Sequence, residues 1–500
     1  MKFTKSTTIF ILLTILGLSS FAQDFDGYTL YNNQNESTTY LIDKDGEIAH
    51  SWDCNTNANY AVFLKDDGNL VRQGVVSGAQ INGAAAGGII QEYDKDASIV
   101  WEFTYSSAEY RSHHDFTVMP NGNVLLTAWE VKTAAEMQAA GYASSTAKWP
   151  THIVEVEQDG SGGKVVWEWH IWDHLIQDND AAKPNFGVVA DHPELMDINV
   201  PSSSRGGGPG GGGGDWFHVN GIDYNPELDQ IAFTSRYMSE IFIIDHSTTT
   251  AEAASHAGGN SGKGGDFLFR YGNPSNYGSA APKVVTAAVH DVRWIKNGRP
   301  NAGMLQFFNN SGGASSGSVV DAIAPVRDGY NYTYTNGSFQ PTAHQWRHVC
   351  LKNSGGQSAS DRMSNGNTFV AVSREYMYEV DSNDNVVWQY SDGPPKGFRR
   401  ECAHPGIIAL LDNPCDVAGV QDLETLNVIV SPNPSYGTIS IAGLERSKNI
   451  EISVIDMLGK VVVQSTNNTA ISLRDLENGQ YIISILTNNG KVTKSLILAK

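Results

Sequence analysis

Three separated segments of the chain place histidine beside a short apolar run. His113 and His114 stand in YRSHHDFTVMPNGNVLLTAW, His218 stands in DWFHVNGIDY and His290 stands in VVTAAVHDVRW. An imidazole can attack an electrophile, transfer a proton or bind a metal ion near neutral pH. The three segments hold the same position in successive repeats of the chain, described below. We therefore predict that their histidines face one another in a single site.

A repeated β-strand pattern must position these histidines. Each copy has a Gly-containing turn, an alternating strand, an acidic turn and a tryptophan, as in LKDDGNLVRQG followed by GIIQEYDKDASIVWEF. Alternation with a period of two residues indicates strands, and about six copies are spaced like propeller blades. The repeat predicts an all-β fold with a six-bladed β-propeller, in which the opening half-unit at 28–52 joins strands of the last blade at 363–390. A single long sandwich is the alternative.

Equivalent points of successive propeller blades converge on the mouth of the central channel. Arg236, in FTSRYMSE, ends a strand of the His218 unit and is expected on the same face. A guanidinium keeps its charge and offers several donors, which suits a tetrahedral anion. Adjacent residues of a strand point to opposite faces, so either His113 or His114 is the inward member of that pair.

The composition limits the partners. The 500 residues carry a formal net charge of −20, which argues against nucleic acid or an anionic membrane as the binding partner. Four cysteines would enter an oxidising compartment if the protein is exported. Cys402 and Cys415 close a short loop and are expected to form a disulfide, whereas Cys54 and Cys350 either pair or remain buried thiols.

The two ends of the chain have the features of targeting segments. Lys2 and Lys5 precede an apolar run and the small-residue site Phe21-Ala22-Gln23, a pattern that predicts a signal peptide over residues 1–22. We therefore expect export through the periplasm to the cell surface or the medium. The propeller would span 23–415, followed by a linker at 416–425 and a small β-sandwich at 426–500, where Pro-Asn-Pro and Gly turns separate short strands.

The last segment resembles the C-terminal sorting domain of proteins exported by the type IX secretion system. The likeness rests on SPNP near its start and on IEISVIDMLGKVVVQS and NGQYIISILTNNGKVTKS after it. It implies that the secretion machinery is a partner of the chain. It also implies that the segment is an address, removed after use, with no part in catalysis.

The central block of the chain resembles the arylsulfotransferase family. The block runs from DWFHVNGIDYNPELDQIAFTSRYMSE to GGDFLFRYGNP, with HHDFTVMPNGN before it and HDVRWIKNG after it. The resemblance covers residues 28–392 and implies transfer of a sulfuryl group from an aryl sulfate to a phenolic acceptor, independently of a nucleotide sulfate donor. It implies small-molecule partners and neither a cofactor nor a metal ion.

The resemblance also implies roles for individual residues. His290 matches the nucleophile that becomes a sulfohistidine in a ping-pong reaction. The groups that match sulfuryl binding and proton transfer are His114, His218 and Arg236. Asn220 and His113 are further candidates for substrate binding in the same pocket.

Two other functions fit the same residues. Histidines together with Asp115 and Asp291 could bind a transition metal for hydrolysis, because imidazole and carboxylate are suitable ligands. Alternatively, the propeller is a non-catalytic surface binder whose function lies in its loops.

Overall fold

A computed structural model of the chain describes residues 25–200, 214–284, 286–411, 414–415, 428–444, 450–456, 460–487 and 490–500. Strands dominate these residues, which confirms the predicted all-β class. The chain divides into two compact units between Pro414 and Cys415. The predicted signal peptide and the predicted linker lie outside the described residues.

The first unit contains six four-stranded antiparallel sheets in its described part. The first sheet begins with β1 (Gly27–Asn32), β2 (Thr38–Ile42) and β3 (Ile48–Asp53). The second contains β4 (Ala58–Leu64), β5 (Leu70–Val75), β6 (Gly88–Tyr93) and β7 (Ile99–Thr104). The third contains β8 (Tyr110–Val118), β9 (Val124–Glu130), β10 (Thr151–Asp159) and β11 (Gly162–His170), and a short parallel pair follows, β12 (Leu175–Ile176) and β13 (Met196–Asp197).

The fourth sheet contains β14 (Val219–Asn225), β15 (Gln230–Ser235), β16 (Glu240–Asp245) and β17 (Phe269–Tyr271). The fifth begins with β18 (Val289–Trp294), β19 (Leu305–Asn309) and β20 (Val319–Ile323). Two small hairpins interrupt it, β21 (Arg327–Asp328) with β22 (Asn331–Tyr332), and β23 (Tyr334–Thr335) with β24 (Ser338–Phe339), before β25 (Trp346–Val349) completes it. The sixth contains β26 (Ala359–Arg362), β27 (Thr368–Val372), β28 (Tyr376–Val380) and β29 (Val386–Tyr390).

The first sheet is completed by a strand from the far end of the unit. β30 (Gly397–Glu401) pairs with β1 in a register that sets Phe398 opposite Leu30. The prediction that the half-unit at 28–52 joins strands at 363–390 was therefore wrong. The strands at 363–390 already form a complete sheet with β26, so the chain supplies the missing strand from the segment that follows them.

Helices are few and short in the part of the chain that the structure describes. They are α1 (Ala134–Ala139), α2 (Thr250–Ala253), α3 (Pro405–Leu410) and the 3₁₀ turns Ile171–His174, Val189–Asp191, Pro274–Tyr277 and Ala314–Ser316. α1 and α2 both begin at capping boxes, in which the side chains of Thr133 and Thr249 accept from the backbone of Glu136 and Glu252. Of the helices the structure describes, none has the length and apolar character needed to cross a membrane.

The tryptophans of the repeat tie neighbouring sheets together. The indole Nε1 of Trp52, in the first sheet, donates to the carbonyl of Asp94 in the second at 3.0 Å. The indole of Trp101 donates to the carbonyl of Gly162 in the third sheet. Trp388 of the sixth sheet donates to the carbonyl of Lys44 in the first at 2.6 Å. All three indoles are buried, so each bond satisfies a polar group that would otherwise cost free energy.

In its described part, the second unit has two sheets of its own. β31 (Ile429–Ser431), β32 (Thr438–Ala442) and β35 (Ala470–Ser472) form one, and β33 (Glu451–Asp456), β34 (Val461–Thr466), β36 (Gly479–Thr487) and β37 (Gly490–Leu498) form the other. Their alternate apolar residues share one buried cluster that includes Ile439, Val454, Ile483 and Leu496.

In agreement with the expectation from loop length, Cys402 and Cys415 are disulfide-bonded, while Cys54 and Cys350 are buried free thiols.

Candidate active site

The predicted histidines lie where the first strand of a sheet bulges. The register of β8 shifts between Ser112 and Phe116, and that of β18 shifts between His290 and Arg293. β14, which begins directly after His218, has its own bulge at its first residues. A bulge bends the strand and redirects side chains, and bulges are frequent beside active sites.

Two of these histidines have left-handed backbone conformations. The φ of His114 is 53° and that of His218 is 58°. Residues with a Cβ seldom adopt a positive φ, and such strain concentrates at functional sites. The conformation turns the His114 side chain away from the strict alternation of the strand, so His114 lines a cavity that His113 does not line.

The cavity brings together residues that are far apart in the sequence. Its volume is about 550 Å³, within the range of roughly 300–1,000 Å³ usual for small-molecule sites. Four predicted site residues line it: His114, His218, His290 and Arg236. The other lining residues are Gln34, Tyr60, Ala84, Ala85, Asn353, Ser354, Gly355, Gly356, Gln357, Ser373, Arg374 and Glu375.

His290 is held in one tautomer. Its Nδ1 lies 2.8 Å from the carbonyl oxygen of Ala288 and 2.6 Å from the side-chain oxygen Oδ1 of Asn310, which in turn donates its amide to the carbonyls of Ser354 and Gln357. Both neighbours of Nδ1 are acceptors, so Nδ1 carries the proton and Nε2 keeps a lone pair. Burial, and then the positive charge of Arg236, hold the pKa of His290 well below its usual range. His290 is therefore neutral and has a free nitrogen lone pair.

His218 is paired with a carboxylate. Its Nδ1 lies 2.5 Å from Oδ2 of Asp215, whose other oxygen accepts from the backbone N–H of His218 at 3.1 Å. Burial opposes ionisation of Asp215, but the histidine outweighs it and the pKa of Asp215 falls below its usual value. The carboxylate accepts from Nδ1–H and so fixes the tautomer and the orientation of the ring. One face of the His218 ring stacks on the ring of Tyr237, with 4.6 Å between the ring centroids.

His114 lies against His218, with 4.4 Å between ring centroids. Its Nδ1 is 2.8 Å from Nδ1 of His113, so the two rings share one proton in this contact. His113 is fully buried and stacks on Trp129 at 4.0 Å. Burial lowers the pKa of His113 to about 3 and that of His114 well below its usual range, so both rings are neutral. When His113 donates in the shared contact, the proton of His114 is on Nε2.

Arg236 follows directly after β15 and supplies a cation to the site. Its Nη2 donates to the carbonyl of Gly355 at 2.8 Å, and Nη1 lies against Gly356. Within the described part of the chain, Arg236 forms no ion pair with a carboxylate, and burial lowers its pKa. The remaining guanidinium donors are available to an anion in the cavity.

Asn220 has a different place from the one predicted. Its amide donates to the carbonyl of Val289 at 2.9 Å, and its Oδ1 accepts from the hydroxyl of Thr234 at 2.6 Å. It is buried and is not among the described residues that line the cavity. Asn220 thus ties β14 to the strand that carries His290.

A buried ion network lies next to the histidines in the sequence and in space. Nζ of Lys396 is 2.6 Å from Oδ2 of Asp115 and 2.9 Å from Oδ1 of Asp291. Arg293 makes a two-point contact with Asp291 through Nε and Nη2. Backbone N–H groups of Ile222 and Ser360 donate to the same two carboxylates. Both carboxylates are therefore occupied by cations of the protein itself.

Several groups at the site were not predicted. Asp215 stands three residues before His218 in DWFH, and its charge beside a histidine was a usable signal. Asn310, Gly355 and Gly356 left no such signal, because their roles come from contacts between separate sheets. The same holds for Tyr60, whose hydroxyl accepts from the side-chain amide of Gln357.

Comparison with known proteins identifies the family. A family model for arylsulfotransferase (ASST) matches residues 18–399, which is most of the chain. The chain belongs to the arylsulfotransferase family. The activity of this arylsulfotransferase is therefore the transfer of a sulfuryl group from an aryl sulfate donor to a phenol acceptor. A second model, for the secretion system C-terminal sorting domain, matches residues 430–499 and indicates export to the cell surface or the medium by the type IX machinery.

Other comparisons add little. No curated protein matches the arylsulfotransferase chain in sequence. A protein of unknown function from Bacteroides caccae is 12% identical, with a TM-score of 0.40 and coverage of 75% of this chain and 98% of that one. BamB from Moraxella catarrhalis is 9% identical, with a TM-score of 0.28 and coverage of 95% and 83%. The assignment to the family rests on the family model.

Proposed function

We propose that this enzyme is a nucleotide-independent aryl-sulfate sulfotransferase that works by a ping-pong mechanism through a sulfohistidine at His290. One observation carries the proposal. The proton of His290 is fixed on Nδ1 by Ala288 and Asn310, and its Nε2 lone pair is in the same cavity as a guanidinium that no carboxylate neutralises among the described residues. The same cavity is therefore proposed to hold both the nucleophile and a cation that binds the sulfate anion.

In the first half-reaction, Nε2 of His290 forms a bond to sulfur while the bond from sulfur to the aryl oxygen breaks. The aryl oxygen leaves with the electron pair of that bond and takes the proton that a doubly protonated His218 carries on Nε2, while Nδ1–H stays hydrogen-bonded to Asp215. Little covalent chemistry is asked of the protein beyond position and charge stabilisation, as in phosphoryl transfer. The positive charge that develops on the His290 ring is stabilised by Asn310 and Ala288, which accept from its Nδ1–H.

In the second half-reaction, the phenolic acceptor replaces the departed phenol. Its hydroxyl gives its proton back to His218, its oxygen bonds to sulfur and the bond from sulfur to Nε2 of His290 breaks. The enzyme returns to its starting protonation. Splitting one transfer into two similar steps is the advantage of covalent catalysis.

Arg236 and His114 are proposed to bind the sulfuryl oxygens. An aryl sulfate spreads one negative charge over three oxygens, and donors fixed before the reaction cost no reorganisation when it occurs. Arg236 is anchored by Gly355, and His114 is oriented by His113, so both are set in advance. His113 and Asn220 act on the site through their neighbours, since the cavity is lined by His114 and His290 instead.

The alternative of a metal-dependent hydrolase is less well supported. It needs Asp115 and Asp291 as ligands, whereas Lys396 and Arg293 occupy both carboxylates. A metal ion at that position would be repelled by the two cations that the protein already holds. A purely binding propeller gives no account of why Nδ1 of His290 is fixed by two acceptors.

The architecture and the export route are part of the proposal. We take the six sheets as six blades of a closed ring, supported by the indole of Trp388 that bonds from the sixth sheet to the first, and by the pairing of β30 with β1. The propeller would then span residues 23–415, with the linker at 416–425 and a sorting sandwich at 426–500. A signal peptide at 1–22 would direct the chain to the periplasm before type IX export.

The decisive test uses 4-nitrophenyl sulfate as donor with phenol as acceptor. In His290→Ala, acceptor-dependent release of nitrophenol is expected to fall by about 10⁴-fold or more, as for the loss of other covalent nucleophiles. The unsubstituted enzyme, mixed with donor alone, is expected to give a burst of one nitrophenol per active site and an acid-labile sulfate on the protein.

The matched control is His50→Ala, a half-buried histidine of β3 that does not line the cavity. It is expected to keep full turnover. Unchanged turnover in His290→Ala, with circular dichroism like that of the unsubstituted protein, would eliminate the mechanism.

A further inference from the structure

A second cluster of histidine and carboxylate lies apart from the cavity residues. His174 ends the 3₁₀ turn that follows β11, while His256 and Asp266 belong to the long connection from β16 to β17. Nδ1 of His174 is 2.8 Å from Oδ1 of Asp266, and Nδ1 of His256 is 2.7 Å from the same oxygen. These three atoms all lie within 4.8 Å of one another.

The hydrogen-bond partners of His174 fix the direction of its ring. Its Nε2 lies 2.8 Å from the carbonyl oxygen of Ala253, which only accepts, so Nε2 carries a proton. Nδ1 of the same ring points at Oδ1 of Asp266, 2.8 Å away. A cation must lie between this nitrogen and the carboxylate oxygen, either a second ring proton or a metal ion, and the nearby Nδ1 of His256 offers a third ligand atom for a metal.

The arrangement matches the way proteins hold a metal-binding histidine. A ligand histidine donates its other ring N–H to a backbone carbonyl or a carboxylate, which fixes the tautomer and aims the lone pair at the metal. Ala253 provides that carbonyl for His174. A side chain at Gly265 would come within 2.5 Å of Nε2 of His174, so the close approach of this backbone requires glycine.

The geometry points to a site for a divalent transition metal, Zn²⁺ in the first place, formed by Nδ1 of His174, Nδ1 of His256 and Oδ1 of Asp266. Imidazole and carboxylate are suitable ligands for Zn²⁺, Ni²⁺ or Cu²⁺ and poor ones, in this combination, for Mg²⁺ or Ca²⁺. Bonds of about 2.0–2.1 Å to zinc need each imidazole nitrogen slightly farther from Oδ1 of Asp266 than the present 2.8 and 2.7 Å, which small rotations of Asp266 and of the exposed His256 can supply. His174 is fully buried, but the side chain of His256 is 61% exposed, so the remaining position is open to water.

The metal would act as a clamp in the fold and take no part in sulfuryl transfer. The indole of Trp169, on β11, donates to the carbonyl of Gly265, and the backbone N–H of Phe267 donates to the carbonyl of Glu194. The end of the connection from β16 to β17 is thus already fixed. Binding at His256 would also join the middle of this connection, just before the glycine-rich stretch 258–265, to the 3₁₀ turn that carries His174. A ligand that binds only the folded state raises stability.

The experiment is zinc titration of the chelator-stripped full-length chain, without a histidine tag, by calorimetry and thermal melting. We expect one saturable Zn²⁺ that raises the melting temperature, and no such effect of Mg²⁺ or Ca²⁺. In His256→Ala the affinity for this Zn²⁺ should fall by more than the roughly 10- to 100-fold that loss of an outer-shell partner costs. Co²⁺ bound in place of Zn²⁺ should show the visible absorption of a tetrahedral site in the unsubstituted chain and lose it in His256→Ala.

Two further variants keep the result interpretable. His192→Ala removes another exposed histidine that pairs with a nearby carboxylate, Glu194 at 2.9 Å, and should bind zinc as the unsubstituted chain does. Asp266→Asn should weaken binding as His256→Ala does. Sulfuryl transfer should persist in His256→Ala, since it leaves the cavity residues intact. Absence of saturable zinc binding, or equal binding and melting of the unsubstituted chain, His256→Ala and Asp266→Asn, would overturn the proposal.

Discussion

At the scale of single residues, the site is defined by which ring nitrogen carries a proton. His290 and His218 both place a protonated Nδ1 against acceptors, the former against a carbonyl and an amide, the latter against a carboxylate. The neutral acceptors leave His290 a nucleophile, while His218 has a carboxylate behind its ring, which suits the proton transfer proposed for it. The same side chain thus receives two roles from the partner behind it.

Asp215→Asn tests the role of the carboxylate. An amide cannot stabilise a charged His218 and can favour the wrong tautomer, so we expect turnover to fall by about 10²- to 10⁴-fold, as when the aspartate of a catalytic triad is replaced. The loss should be smaller for donors with better leaving groups, which need less proton transfer. Asp229→Asn is the control. Asp229 also pairs with a histidine, 2.7 Å from Nδ1 of His246, but neither residue lines the cavity. Equal losses for good and poor leaving groups would contradict the role.

The pH dependence of the burst tests the influence of Arg236 on His290. A protonated His290 cannot attack, so the burst falls as pH drops through its pKa. Burial and Arg236 hold this pKa well below the usual value, and the acid limb should therefore lie well below pH 6.5.

Arg236→Gln removes the charge, so the pKa of His290 should rise and the acid limb should move toward neutral pH. The rate should also fall by about 10²- to 10³-fold through loss of a sulfuryl donor. Samples quenched into alkali give the nitrophenol released at each pH. An acid limb that stays in place while the rate falls would show that Arg236 binds substrate without affecting the nucleophile.

At the scale of elements, the site depends on bulged strands and on one loop between sheets. The bulges in β8 and β18 interrupt the alternation that the repeat predicts, and they direct His114 and His290 to the cavity. The segment 353–357, which precedes β26, holds Arg236 through the carbonyl of Gly355. A Cβ at Gly356 would be 3.1 Å from Nη1 of Arg236 and 3.9 Å from Cε1 of His290.

Gly356→Ala is expected to shift the guanidinium by a few tenths of an ångström. Because misplacement of about 1 Å can cost 100-fold, we expect a loss of about threefold to tenfold in turnover, with little change in stability. Gly162→Ala is the matched control, since Gly162 does not line the cavity and a Cβ there would meet only the carbonyl oxygen of Asp159, at 3.8 Å. Steady-state kinetics of the two variants decide the point, and equal activity of both would argue that Arg236 needs no such fixed position.

At the scale of the whole molecule, Lys396 connects sheets that carry different parts of the site. It follows the sixth sheet in the chain, yet it pairs with Asp115 of the third sheet and Asp291 of the fifth, and its side chain is 1% exposed. His114 directly precedes Asp115, His290 directly precedes Asp291, and both histidines line the cavity. The network therefore holds His114 and His290 in a common frame.

Lys396→Met should lower the free energy of unfolding by about 3–5 kcal/mol at pH 7, the usual effect of breaking a buried ion pair. Burial raises the pKa of Asp115 even with Lys396 present, because the charged carboxylate is poorly solvated there. Without Lys396 the charged form, which predominates at high pH, costs still more free energy. The loss in stability should therefore shrink as pH falls and Asp115 takes up a proton.

Urea unfolding at pH 5 and pH 8 measures the difference. Lys44→Met, which removes an exposed lysine at 4.0 Å from Asp45, should change stability by no more than about 1 kcal/mol at either pH. A loss that does not depend on pH would show that packing, and not charge, is the contribution of Lys396.

The sequence by itself determined the features that arise from local periodicity. Alternating residues, glycine turns and the repeated tryptophan were sufficient to predict the all-β class, and the recurrence of histidine at one register indicated which side chains to examine. The motif around His218 and His290 was sufficient for the family. These features depend on residues within a few positions of one another, so they can be read along the chain.

Only the tertiary structure decided how those residues are arranged. A bulge in β8 brings His114, and not His113, to the cavity. Asn310 helps to fix the proton of His290 on Nδ1. β30, and not the strands at 363–390, completes the first sheet. The tertiary structure also brought Lys396 to Asp115 across 281 positions of the chain. Such contacts follow from packing between sheets, and a single chain carries no local signal of which distant residue will fill the space beside it.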